Sequence, residues 1–260
     1  MLKALIFDVD GTLADTERLG HRVAFNLAFA EFGLNWHWDE TLYGELLAVT
    51  GGKERISHFI QHYQPEMFGP TADLVTFIQT LHAAKNRQYA KLVETGQIPA
   101  RLGVIRLIQE AKDAGLRLAI ATTTIRENVE ALFTASFPEQ MLSWFEVIAT
   151  DESVADKKPA PDIYQYVLEK MGLLAQECLA FEDSENGLRS ALSAGISTLI
   201  TINDYTENQD FSGALAVVNH LGEPDRPLTC LNETSKSFFR IVDVAAIKNL
   251  HELANVRASS

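Results

Sequence analysis

Short, nearly uninterrupted apolar runs recur along the chain at residues 2–8, 116–122, 147–150, 178–182 and 198–202. Runs of this length predict strands buried on both faces. Between them, apolar residues return every three or four positions: Val104, Leu107, Ile108 and Ala111; Val129, Leu132 and Phe133; Ile163, Val167 and Leu168. That spacing lines one side of a helix. Strand and helix therefore alternate, which predicts an α/β fold with a doubly wound parallel sheet. Gly115 and Gly172 stand just past two of the helices, where a left-handed stop residue belongs, and Pro159 and Pro161 punctuate the loop before another.

Residues 15–97 break this rhythm. They carry helical patterns but no convincing strand, with recurring faces at Val23, Leu27 and Phe32 and at Leu74, Phe77, Ile78 and Leu81. The simplest organisation is a core domain made of residues 1–14 and 98–260, with a helical cap domain, 15–97, inserted after the first strand. Residues 204–235, with Gly222, Pro224 and Pro227, read as loop, and a closing helix is expected around 245–253.

Composition narrows the function classes. The chain has 260 residues, 47% hydrophobic and 22% charged, as expected of a folded globular protein. A formal net charge of −13 argues against the extended basic surface that nucleic acid requires. Two cysteines, Cys178 and Cys230, lack zinc spacing and suit a reducing compartment. Asp8 and Asp10 interrupt any signal-peptide core, and no uncharged apolar stretch reaches the ~18 residues of a membrane span. A cytoplasmic monomer with no membrane or nucleic-acid partner is the expectation.

Ligands of open parallel sheets bind beyond the carboxyl ends of the strands, so the residues at those ends matter most. The first run ends in Asp8-Val9-Asp10, the second in Thr122-Thr123-Thr124 and the fourth in Glu182-Asp183, while Lys158 lies in the loop after the third. Close carboxylates repel one another unless a cation sits among them. A hard dication with oxygen ligands resolves the conflict, and Mg²⁺ is the usual one beside phosphate. An EF-hand loop beginning at Asp8 would need Gly and Glu where the chain has Leu13 and Leu19.

Four segments together resemble the ordered motifs of the haloacid dehalogenase superfamily: D-V-D-G-T-L at residues 8–13, the strand end at Thr122, K-P-A-P-D at 158–162 and F-E-D-S-E-N-G at 181–187. The helical block, with T-G-G-K-E-R-I at residues 50–56 and Asn219-His220-Leu221-Gly222 near the end, is most similar to the group that includes β-phosphoglucomutase and the CbbY-type sugar phosphatases. The resemblance implies a Mg²⁺-dependent sugar-phosphate phosphatase that removes the 1-phosphate of xylulose 1,5-bisphosphate. It implies Asp8 as the nucleophile that becomes an aspartyl-phosphate and Asp10 as general acid and base. Thr122 and Lys158 bind the phosphoryl group, and Asp8, the Asp10 carbonyl, Asp183 and Glu182 hold the metal. A phosphomutase would share every core residue, and a non-catalytic binding protein could keep the fold.

Substrate choice is expected to reside in the cap. Gly51 and Gly52 let backbone N–H groups approach an anion beside Lys53 and Arg55, which suits a second phosphate, and cap closure would bring this turn over the substrate. Glu17 is a candidate for sugar hydroxyls, Thr123 for a substrate contact and Lys85, Tyr43, Arg126 and Arg189 for further contacts.

Overall fold

The computed structural model describes residues 1–49, 51–65, 73–231 and 240–258. Thr50 and residues 232–235, both within segments considered above, lie outside this set. The chain divides into two compact units, Met1–Asp15 with Pro99–Ser260, and Thr16–Ile98.

The first unit is built on six parallel strands: β1 (Ala4–Phe7), β2 (Arg117–Ala121), β3 (Phe145–Ala149), β4 (Cys178–Glu182), β5 (Ser197–Thr201) and β6 (Ala216–Val218). Their spatial order is β3-β2-β1-β4-β5-β6, so β1 lies between β2 and β4, with Phe7 beside both Ile120 and Phe181. The order reverses at β1, the place where a doubly wound sheet opens a crevice for ligands. Side chains alternate across the sheet. Ala4 and Ile6 of β1, with Ala119, Ala121, Cys178 and Ala180, pack under Ile163, Tyr164, Val167 and Met171. The small residues of β2 and β4 let that helix approach closely. Phe7 belongs to the opposite set, stacking on Phe181 at 4.6 Å and meeting Phe145 edge-on.

In the second unit, α1 (Arg22–Glu31), α2 (Glu40–Leu46), α3 (Gly52–Tyr63) and α4 (Leu74–Glu94) follow a π-helical turn at Glu17–His21. The first unit contributes α5 (Val104–Asp113), α6 (Arg126–Ser136), α7 (Asp162–Met171), α8 (Glu185–Ser193) and α9 (Val244–Ala258). The buried residues of α5 are the four that its periodicity marks.

Two expectations need correction. Residues 204–235 contain β6, a three-residue strand too short to show a period. The buried side of α1 is Ala24, Phe25, Ala28 and Phe29, whereas Leu27 is 41% exposed. Both sets have helical spacing; Trp38, packed against Phe25 and Phe29, selects the aromatic one.

Candidate active site

The sheet sets the site by ending. Asp8 continues β1 by one residue, its N–H donating to the Phe181 carbonyl at 3.0 Å, and Thr122 continues β2 with its N–H on the Ala149 carbonyl at 3.0 Å. The chain then turns at Gly11, whose φ of +84° suits glycine and whose missing Cβ leaves room for the Asp183 carboxylate. In the fourth motif, Ser184 caps α8 by accepting from the Gly187 N–H. Any Cβ at Gly187 would collide with the Glu182 carboxylate. These two glycines are thus required by the acids they face.

Lys158 brings the strand ends together. Its ammonium, 6% exposed, donates to Asp8 Oδ1 at 2.7 Å, to Glu182 Oε1 at 2.5 Å and to the Ala121 carbonyl at 2.9 Å. Burial alone would lower its pKa, but the Asp8 and Glu182 charges outweigh this and hold it above the usual lysine range. Burial lifts the Asp8 carboxyl to about 7, against the attraction of Lys158 and with further repulsion from Glu182 and Asp10. Asp183 is raised well above its ordinary value by burial and then by Asp8 and Glu182.

Asp8, Glu182 and Asp183 each offer a carboxylate oxygen, all within 4.8 Å of one another. Were all three ionised, these buried carboxylates would share one ammonium in direct contact, a deficit of positive charge that the raised Asp8 and Asp183 pKa values reflect. An oxygen-only donor set with that deficit fits a hard dication such as Mg²⁺. Glu182 also has other work: Oε1 accepts from Lys158 and, at 2.6 Å, from the buried Tyr164 hydroxyl. Tyr164 is absent from the sequence-based candidates because its position on the core face of α7 reads as packing. Asn203, which donates to Asp183 Oδ2 at 2.6 Å, could have been found by extending the strand-end reading to β5. Asp10 is half-buried, one residue before the Gly11 turn. Thr122 is fully buried and its Oγ1 accepts from the Thr124 N–H, while Thr123 is partly open.

The chain matches the family model of haloacid dehalogenase-like hydrolases over residues 2–195. The chain belongs to this family. All four motif segments fall within the match. Among related proteins of the family, CbbY of Cupriavidus necator is 46% identical across 99% of this chain and all of its own length. CbbY of Rhodobacter capsulatus is 50% identical across 82% of this chain and 91% of its own. Crystal structures of Rhodobacter sphaeroides CbbY, one with phosphate and one of a mutant with xylulose-(1,5)-bisphosphate, each have a TM-score of 0.76 and 45% identity. Each covers 85% of this chain and 95% of the CbbY chain.

The hydrolase's second unit places its candidate residues less simply. Arg55 is 7% exposed, and its guanidinium donates to the Leu46 carbonyl at 3.1 Å, the Val49 carbonyl at 3.3 Å and the Tyr43 hydroxyl at 3.0 Å. It is built into the unit, which departs from the expectation of an open phosphate-binding arginine. The Tyr43 hydroxyl in turn donates to Glu17 Oε2 at 2.5 Å. Lys85 is also buried, 2.8 Å from His21 Nδ1 and over the rings of Phe25 and Tyr89. Gly51 opens α3 at φ +100°, followed by Gly52 and the exposed Lys53. Arg126 and Arg189 pair with Glu130 and Glu185 of their own helices.

Proposed function

We propose that this hydrolase is a Mg²⁺-dependent sugar-phosphate phosphatase that removes the 1-phosphate of xylulose 1,5-bisphosphate. The observation carrying this reading is the acid cluster at the β1 and β4 ends, closed by Lys158, in a chain 45–50% identical to CbbY proteins, a mutant of one of which has been solved in complex with that bisphosphate.

Asp8 is the nucleophile: its carboxylate oxygen forms a bond to phosphorus as the bond from phosphorus to the sugar oxygen breaks. Asp10 gives its proton to the departing sugar oxygen. It then takes a proton from the water that hydrolyses the aspartyl-phosphate, which returns Asp8 and inorganic phosphate. Lys158, fixed by Glu182 and the Ala121 carbonyl, neutralises charge on Asp8 and on the phosphoryl oxygens, and Thr122 donates a hydrogen bond to one of them. Asp8, Asp183, the Asp10 carbonyl and the more heavily engaged Glu182 are the residues that would hold Mg²⁺. The bound ion supplies electrostatic shielding for the incoming phosphate.

The test is phosphate release from xylulose 1,5-bisphosphate with Mg²⁺, beside an assay for isomerised product from β-glucose 1-phosphate with its bisphosphate activator. The wild type should release one phosphate per sugar, and Asp8→Asn should release none. Undiminished release by Asp8→Asn would remove the proposed nucleophile, and preferred isomerisation would make the enzyme a mutase.

A further inference from the structure

Two residues with no role in the reaction described above support the acids of the site, Asn203 through a side-chain contact and Arg101 through backbone carbonyls. Asn203 lies two residues past β5, and its amide donates to Asp183 Oδ2 at 2.6 Å. The orientation of that amide is fixed, because Oδ1 accepts from the Tyr205 N–H at 3.0 Å and only the NH₂ group is left to face the carboxylate. The turn is closed by the Asn203 N–H on Thr206 Oγ1 and by the Thr206 N–H on the Asn203 carbonyl, each at 3.0 Å. Asn203 is therefore a donor whose direction is set before any ligand arrives.

Arg101 joins this turn to the other side of the acid cluster. Its backbone N–H donates to the Leu13 carbonyl at 2.9 Å, and its guanidinium donates to the Gly11 carbonyl within the first motif. The same guanidinium holds the Thr201 carbonyl at 2.8 Å, Thr201 Oγ1 at 3.1 Å, the Ile202 carbonyl and the Asn219 carbonyl at 2.9 Å. One planar fork thus fastens the turn after Asp10 to the residue before Asn203. A lysine has one nitrogen and cannot bridge acceptors so arranged. Gly11 completes the contact: a Cβ there would run into both Asp183 and Asn203.

We propose that Asn203 and Arg101 are positioning residues for the cation site. Asn203 fixes the rotation of the Asp183 carboxylate, and Arg101 fastens the Gly11 turn, which follows Asp8 and Asp10, to the segment that leads into Asn203. This inference rests on reading the acid cluster as a Mg²⁺ site. Partners of this kind hold ligands in the geometry the ion needs, and their loss typically weakens metal affinity by ~10–100-fold.

The experiment is calorimetric titration of Mg²⁺ into metal-stripped, full-length protein, with circular dichroism to check folding. Asn203→Ala should raise the Mg²⁺ dissociation constant by ~10–100-fold while leaving the KM for sugar phosphate at saturating Mg²⁺ near that of wild type, and Arg101→Lys should weaken Mg²⁺ in the same direction. If Asn203 only closes its own loop, the folded Asn203→Ala variant will bind Mg²⁺ within about twofold of wild type, and the inference falls. Should Arg101→Lys fail to fold, the half-buried Asn203 carries the test alone. A wild type that binds no Mg²⁺ would overturn the metal reading and this inference with it, whereas normal wild-type binding with an unaffected Asn203→Ala overturns the inference only.

Discussion

Replacing Lys158 by Met removes the one ammonium recorded among three buried carboxylates while keeping an unbranched apolar stem of similar length. At 2.7 Å from Asp8, the direct attraction is about 6 kcal/mol for an effective dielectric constant of ~20. Much of this offsets the desolvation of the charges, so the loss on breaking a buried pair is typically about 3–5 kcal/mol. For a chain of this size that corresponds to a melting temperature lower by roughly 6–20 °C in the metal-free protein. Mg²⁺ at the proposed site would neutralise the same carboxylates, so its addition should raise the melting temperature of Lys158→Met more than that of wild type. Differential scanning calorimetry in EDTA and in Mg²⁺ measures both quantities, and phosphate release at saturating Mg²⁺ should fall by ~10²–10³-fold. A variant that melts within ~2 °C of wild type in EDTA, with no larger gain from Mg²⁺, would show that Lys158 does not balance these charges.

A second outcome concerns pH. The folded-state pKa of Asp8, about 7, lies above the ordinary 3.8, so the stability its protonated form contributes is complete below the ordinary value and lost as pH rises through about 7; burial raises Asp183 as well, which acts in the same direction. Mg²⁺ at the proposed site would bind the deprotonated acids, so its stabilising effect should grow across the same rise, and a Mg²⁺-induced gain that is independent of pH would contradict this. A third concerns substrate choice. Lys53→Glu should lower turnover of xylulose 1,5-bisphosphate by about tenfold while changing p-nitrophenyl phosphate turnover little, as expected from losing one charge contact of about 1.4 kcal/mol; equal losses in the two kcat/KM values would argue against a role in recognising a second phosphate.

Much of the sheet and of its acid edge was legible because a parallel strand buried on both faces must be apolar until it leaves the sheet. The first polar residue then stands where ligands bind. That logic places Asp8 after Phe7 and ends β4 at Glu182, with Asp183 next. It does not locate β6, whose three residues sit among loop residues, and periodicity alone does not choose between Phe25 with Phe29 and Val23 with Leu27 as the inner side of α1. The choice is made by Trp36 and Trp38, which come after the helix in sequence and pack against Phe29. Tyr164 has the same difficulty in another form. Its ring obeys the core period of α7, and only the fold shows that its hydroxyl ends against Glu182.

The charged residues of the helical unit were harder to assign because their partners include backbone atoms. A helix leaves its last carbonyls without intrahelical donors, whatever its side chains are. Arg55 meets that need at the end of α2, where its Nε reaches the Leu46 carbonyl, while another nitrogen reaches the Val49 carbonyl in the turn beyond the helix and the third the Tyr43 hydroxyl. Nothing in G-G-K-E-R distinguishes an arginine used in this way from one held out for an anion, since carbonyls carry no sequence signature. The expected Lys53/Arg55 pair therefore separates into unlike parts. Lys53 remains an exposed charge that can meet a second anion, while Arg55 fastens α2 and the Tyr43 hydroxyl that holds Glu17. Any effect of Arg55 on sugar recognition must then pass through Tyr43 and Glu17. If Glu17 accepts sugar hydroxyls and Lys53 meets a second phosphate, as proposed, substituting Arg55 should perturb the geometry of the first contact, whereas substituting Lys53 should change the charge available to the second.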